Sequence, residues 1–175
     1  MSPTRLIALF VAATLAPAVD HSSSRSTSKQ SVREVARLHT ARAAHTATAL
    51  PAGDIVLVGG MTEDGGSLSS VERFDPRDNS IREVGSIASS RVGHTATLLN
   101  DGRVLIAGGY NGDYSASLEL FDPSTSRVRP AGSLVEVRSG HTATLMPDGR
   151  VLFVGGVGAG WTLLRSAELY DPATG

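Results

Sequence analysis

The sequence predicts an all-β fold assembled from a repeated four-stranded unit. Three observations predict it: a His-Thr-Ala-Thr tetrad that recurs at His45, His94 and His141, Gly-Gly pairs that recur in step with it, and the lack of any stretch with a sustained helical period and end caps. The tetrads lie 49 and 47 residues apart. Gly59-Gly60, Gly108-Gly109 and Gly155-Gly156 keep those intervals, while Phe74-Asp75-Pro76, Phe121-Asp122-Pro123 and Tyr170-Asp171-Pro172 are spaced 47 and then 49, so the variation falls in connections. Three copies result, over 32–80, 81–127 and 128–175.

Taken in order through the middle copy, Ile81 to Ile87 alternates imperfectly and is the first strand. His94 to Leu99 and Arg103 to Ala107 are short β-type runs, and Asn100-Asp101-Gly102 between them predicts a hairpin with a type I′ turn, because Asp-Gly tolerates positive φ. Pro147-Asp148-Gly149 repeats that signal in the third copy. A polar loop, Tyr110 to Ala116, leads to the fourth strand, Ser117 to Phe121, which stops at Asp122-Pro123 because proline cannot donate to a central ladder. Val32-Arg33-Glu34-Val35 aligns with Ile81-Arg82-Glu83-Val84 and with Val128-Arg129-Pro130-Ala131, so Val32 to Leu38 is expected to be a strand of the same type. The Gly-Gly pairs mark close backbone approach or strand-end geometry, where a side chain as in Gly108→Val should cost about 1 to 3 kcal/mol.

Composition narrows the function. The 175 residues carry 16 basic and 17 acidic groups, a balance without the concentrated positive charge of a nucleic-acid-binding domain. No cysteine is present, which removes disulfides, thiolate metal sites and cysteine nucleophiles. Among the basic residues only Lys29 is lysine, so nearly every cation is a guanidinium suited to bidentate carboxylate pairing.

The N-terminus combines Arg5, the apolar run Leu6 to Leu15 and the small-x-small site Ala16-Pro17-Ala18, the pattern of a secretory signal over residues 1–18. Ten apolar residues are too few for the roughly twenty that span a bilayer, so no membrane span is expected in the mature chain, which should begin near Val19 in a secreted or periplasmic protein. Residues 19–31 hold six serines and one apolar residue and read as a linker.

Four-stranded units of about fifty residues with Gly-Gly are the pattern of propeller blades. The Arg-x-x-His-Thr-Ala-Thr starts at Arg42, Arg91 and Arg138, the Gly-Gly pairs, and the Glu-x-aromatic-Asp-Pro ends at Glu72, Glu119 and Glu168 resemble the repeats of bacterial kelch-repeat β-propellers, of the galactose oxidase central-domain-like superfamily. The resemblance covers 32–175. It implies a kelch-type propeller of which three four-stranded blades are present, an incomplete ring. Kelch blades usually place Trp shortly after Asp-Pro; Ile81 and Val128 hold that slot here, which implies a slimmer core between blades. Neither the shorter period nor the Trp-Asp pair of WD repeats is found. Propellers close with roughly four to eight blades, so further blades are expected from sequence outside this chain or from self-assembly.

Several residues suggest chemistry. His45, His94 and His141 resemble a metal set, yet a His in every copy is better explained by one hydrogen bond remade in every blade, and no metal or cofactor is expected. Arg42, Arg91 and Arg138 recur in phase with Glu72, Glu119 and Glu168, either as structural pairs or as a guanidinium ring facing an acidic ligand. Gly156-Val157-Gly158-Ala159-Gly160 lacks the helix a dinucleotide loop needs. The loops after the Gly-Gly pairs are the least alike parts of the copies. Met61, Tyr110, Asn111, Asp113, Tyr114 and Trp161 sit there, and such loops on a β scaffold carry binding, with aromatic rings supplying contact area for a protein or glycan. The expected function is a non-catalytic extracytoplasmic binding module. The resemblance also implies an alternative, a propeller enzyme acting on carbohydrate. Its copper-oxidase relatives use a Cys-linked Tyr, which this chain cannot form, and the Arg and acidic residues of its sialic-acid epimerase relatives have no assignable counterparts here.

Overall fold

A computed structural model describes residues 32–175; the signal-type segment 1–18 and the Ser-rich segment 19–31 lie outside the described residues. Runs of Val, Ile, Leu and Thr pair here as antiparallel meanders. The first sheet is β1 (Thr46–Ala49), β2 (Ile55–Val58), β3 (Ser70–Asp75) and β4 (Ser80–Ser86), in that order. The second repeats it with β5 (Thr95–Leu98), β6 (Val104–Ala107), β7 (Ser117–Asp122) and β8 (Arg127–Ser133). The third has β9 (Thr142–Leu145), β10 (Val151–Val154) and β13 (Ala167–Tyr170), with a small hairpin of β11 (Val157–Gly158) and β12 (Thr162–Leu163) between the last two. The architecture is all-β, an arc of blades that does not close a ring: two are four-stranded as expected, while the third has three strands and lacks the outer strand expected of it, and the one helical turn among the described residues is the 3-10 turn Ala159–Trp161.

Sheets and sequence copies are offset by one strand. The run that opens each copy, 81–87 or 128–134, is the outer strand of the preceding blade, paired to β3 or β7 through Phe74↔Ile81 and Phe121↔Val128. The expected strand Val32 to Leu38 does not form; those residues are without strand structure, and Val32 and Val35 are exposed. The edges of β3 and β7 are taken by β4 and β8, and the outer edge of β13, the equivalent strand of the third blade, stays unpaired among the described residues.

The hairpin turns also differ from the sequence reading. Gly102 N–H donates to Leu99 C=O (3.0 Å) and Leu99 N–H to Arg103 C=O (2.8 Å), and Gly102 alone carries positive φ, +84°. This is a type I turn closed by a left-handed glycine, not a type I′ turn, which needs positive φ at both central residues. The Asp101 carboxylate accepts the Arg103 N–H (3.0 Å) and settles the choice. In the third copy Pro147 allows only negative φ at the equivalent position.

The inner strands are buried on both sides because blades pack face to face. In β6, Val104 and Ile106 point to the first blade, into a cluster with Val56, Val58, Val71, Ile87 and Phe121. Leu105 and Ala107 point to the third, into a cluster with Leu120, Val151, Phe153 and Tyr170. The two-residue period of a strand thus feeds two cores at once. Val128, in the slot usual for Trp, packs at the edge of the first cluster.

Candidate functional site

Each blade is fastened internally by the same three groups. Arg91 enters the sheet from the connection before β5 and is buried. Its guanidinium donates to Gly108 C=O (2.8 Å), to Ser117 Oγ (2.9 Å) and to the Glu119 carboxylate. Glu119 also accepts the Ala88 N–H (2.8 Å), which ties the incoming connection to the blade. Arg42 with Gly59 C=O, Ser70 and Glu72 repeats this arrangement, as does Arg138 with Gly155 C=O, Ser166 and Glu168. Burial pushes the Arg91 pKa down and the Glu119 charge opposes it, as expected for a desolvated cation beside its counter-ion. The three guanidiniums thus sit inside the blades and are paired there. None lines the loop cleft described below.

Two of the tetrad histidines, His94 and His141, link neighbouring blades; His45, in the first blade, makes no such bond among the described residues. His94 Nε2 lies 3.0 Å from Thr46 Oγ1 of the first blade, and His141 Nε2 lies 2.9 Å from Thr95 Oγ1 of the second. Both rings are buried, and their pKa values are lowered to about 4, by desolvation first and then by the nearby Arg91 or Arg138. His45 is shifted in the same direction by the same two causes, with Arg42 as its cation. Since His94 and His141 bind a proton less readily folded than unfolded, the unfolded chain takes up protons first as pH falls. Their contribution is complete above about pH 6.5 and drains away between about 6.5 and 4, on the order of a few kcal/mol in total. Thermal unfolding followed at pH 7.5 and at pH 4.5 should show the loss, and His94→Gln should flatten it. An equal decline in a variant with both rings replaced would assign the acid sensitivity elsewhere.

The loops after the Gly-Gly pairs lie at one end of the blades. Each opens with an equivalent residue, Met61, Tyr110 or Val157, bridged to Ala43, Val92 or Ser139 of the incoming connection. Between the second and third blades these elements enclose a cleft of about 210 Å³ lined by Val92, Tyr110, Tyr114, Ser139, Gly140, Val157 and Trp161. Tyr110 and Tyr114 have ring centroids 5.1 Å apart, and Trp161 meets Tyr114 edge to face at 6.2 Å and 89°. Trp161 is 73% exposed and has φ +64°, a left-handed conformation that costs an ordinary residue roughly 1–2 kcal/mol. Gly160 before it shares that conformation (φ +65°), and the pair turns β11 into β12 with the indole pointing outward. Desolvation, with Tyr110 second, raises the Tyr114 pKa, so its phenol is neutral at ordinary pH.

Of the residues singled out in sequence, the structure brings together Tyr110, Tyr114 and Trp161. Asn111 and Asp113 sit on the exposed tip of the second loop, with the Asp113 carboxylate accepting the Tyr114 N–H (2.8 Å), and Met61 belongs to the first loop, outside the cleft. Val92, Ser139 and Gly140 escaped sequence reasoning, whereas Val157 belongs to the third of the loops expected to bind. The three lie just before the His-Thr-Ala-Thr tetrads, and that fixed position is the signal that could have found them.

Comparison with known proteins agrees with this geometry. The Kelch motif family model matches residues 42–85 and 91–134, together half of the chain, and each match spans one four-stranded sheet. No curated protein sequence gives a significant match.

Proposed function

As the chain belongs to the kelch-repeat family, we propose that it is a protein-binding module whose contact surface is the loop end of the blades, centred on the cleft between Tyr114 and Trp161. The observation that carries this reading is Trp161: a large apolar ring held outward by a strained backbone, beside two further aromatic rings. Strain of this kind collects at binding and catalytic positions, and exposed aromatics in pockets are the usual anchors of protein contacts. A protein side chain suits the cleft better than a sugar. The Ser139 hydroxyl is turned to the carbonyls of Gly93 (3.3 Å) and Val92 (3.5 Å), and the other lining groups are aliphatic or aromatic apart from the tyrosine hydroxyls. A glycan would need several polar partners for its hydroxyls. The segment 1–18 supports a role outside the cytoplasm. Among the described residues no helix is long and apolar enough to cross a membrane.

The test is selection of random displayed peptides on the immobilised chain. Peptides so selected should lose about thirtyfold or more in affinity on Trp161→Ala, the scale of an aromatic anchor. The exposed indole should be removable with the β-type circular dichroism spectrum intact. Selected peptides that bind the Trp161→Ala chain undiminished would move the contact surface elsewhere.

A further inference from the structure

The geometry points to a cationic side chain, arginine or lysine, of a partner protein as the group this cleft receives. The inference rests on the binding role proposed for the loop end and names the chemistry of its partner. At about 210 Å³ the cleft is smaller than the roughly 300 Å³ at which pockets for whole small ligands begin. It has room for one long side chain presented by something larger.

Its walls favour positive charge. The two phenol rings and the indole present electron-rich faces, and their mutual tilts of 59° and 89° turn those faces in different directions around one space. The aliphatic stem of Arg or Lys suits the apolar floor of Val92, Gly140 and Val157, with its head at the rim. The cations next in sequence to the lining residues Val92 and Ser139, Arg91 and Arg138, are buried and paired with Glu119 and Glu168, so their charges are compensated within the blades.

The rim supplies the complement. Across loops 61–70, 110–116 and 157–165 the exposed charged residues are Glu63, Asp64, Asp113 and Arg165, and Glu136 adds a carboxylate in the adjoining connection, 3.6 Å from Arg138. Among the described residues Glu63, Asp64 and Asp113 make no ion pair. The opposite end of the blades differs. There Asp75 pairs with Arg77 (2.6 Å), Asp101 with Arg103 (2.5 Å) and Asp148 with Arg150 (2.6 Å), while Asp122 and Asp171 accept the backbone N–H groups of Ser124 and Ala173 (both 2.9 Å). At the end that bears the aromatic cleft none of these three loop carboxylates has a cation, and Asp113 is held against the backbone of Tyr114 itself. An apolar partner side chain would leave those carboxylates without a role, whereas a cation meets both features.

Trp161 is the only tryptophan in the chain, so its emission reports the cleft directly. The full chain is titrated with the hexapeptide Gly-Arg-Gly-Arg-Gly-Arg, with its Leu and Glu counterparts, and with maltotetraose. The Arg peptide should bind about tenfold tighter than the Leu peptide at low salt, an advantage that shrinks as salt is raised. Asp113→Asn, which keeps an acceptor for the Tyr114 N–H, should reduce that advantage and leave the Leu peptide unchanged. A Leu peptide that binds as tightly as the Arg peptide overturns the cation assignment and leaves the binding role standing, since Trp161 responds. A response to maltotetraose alone, or to none of the probes, overturns the assignment and the protein-binding role together.

Discussion

Arg91→Met is expected to destabilise the chain by about 3 to 5 kcal/mol, because it strands the Glu119 carboxylate in the interior without its counter-ion. Four further acceptors lose a donor at once: the Ser89 carbonyl, the Gly108 carbonyl, the Ser117 hydroxyl and the Ser117 carbonyl, the last at 3.3 Å. The denaturation midpoint in urea measures the effect. Arg150→Ala is the comparison, since Arg150 holds Asp148 at the exposed end of a hairpin, where water screens both charges and little measurable change is expected. Joining Arg91→Met to Glu119→Leu should recover part of the loss, because the double change removes the buried charge as well as its partner. A midpoint for Arg91→Met no lower than that for Arg150→Ala would mean that the guanidinium faces solvent or a ligand rather than the blade interior.

Gly108→Ala should be nearly as damaging, for a steric reason. Gly108 has φ +64°, and a Cβ built on it would lie 2.5 Å from the Arg138 carbonyl oxygen and 2.9 Å from His141 Cε1. The oxygen is backbone and cannot swing aside, so the second and third blades would have to move apart. Gly140 has the same φ, +64°, with open space where its Cβ would go. Gly140→Ala therefore isolates the conformational cost, roughly 1 kcal/mol, and the excess at Gly108, expected at about 2 kcal/mol or more, measures the crowding between blades. Equal midpoints for the two variants would reduce Gly108 to a residue chosen for its φ alone. Gly108→Val, with a bulkier side chain at the same point, should exceed the 1 to 3 kcal/mol that sequence reasoning assigns it.

Much of this protein is legible in its residues because its contacts are repeated. His-Thr-Ala-Thr, Gly-Gly and Glu-x-aromatic-Asp-Pro recur at fixed phase, and whatever recurs must perform the same task in each blade. The turn positions follow from that phase, and so does the recurrence of Arg91 with Glu119; their burial in the structure decides for a pair, since a buried guanidinium and carboxylate need each other. The all-β architecture follows from alternation and turn chemistry, which are local.

What the sequence could not decide depends on neighbours in space. Which blade the run 81–87 joins is a question of which edge is open, and the edge of β3 lies closest along the chain, across the short turn 76–79. Val32 to Leu38 has the residues of a strand but pairs with no edge, the open one on β13 included, and is without strand structure. The turn at Asn100-Asp101-Gly102 was set by one side-chain acceptor, Asp101, over a backbone preference that favoured a different geometry. The cleft was the least readable part. Tyr114 and Trp161 each stand five residues after a Gly-Gly pair, in loops of different length, and only the packing of the second blade on the third brings their ring centroids to 6.2 Å. A repeat specifies what each blade does for itself. A site built from the loops of two blades exists only once the blades are side by side, because each blade supplies only part of its walls.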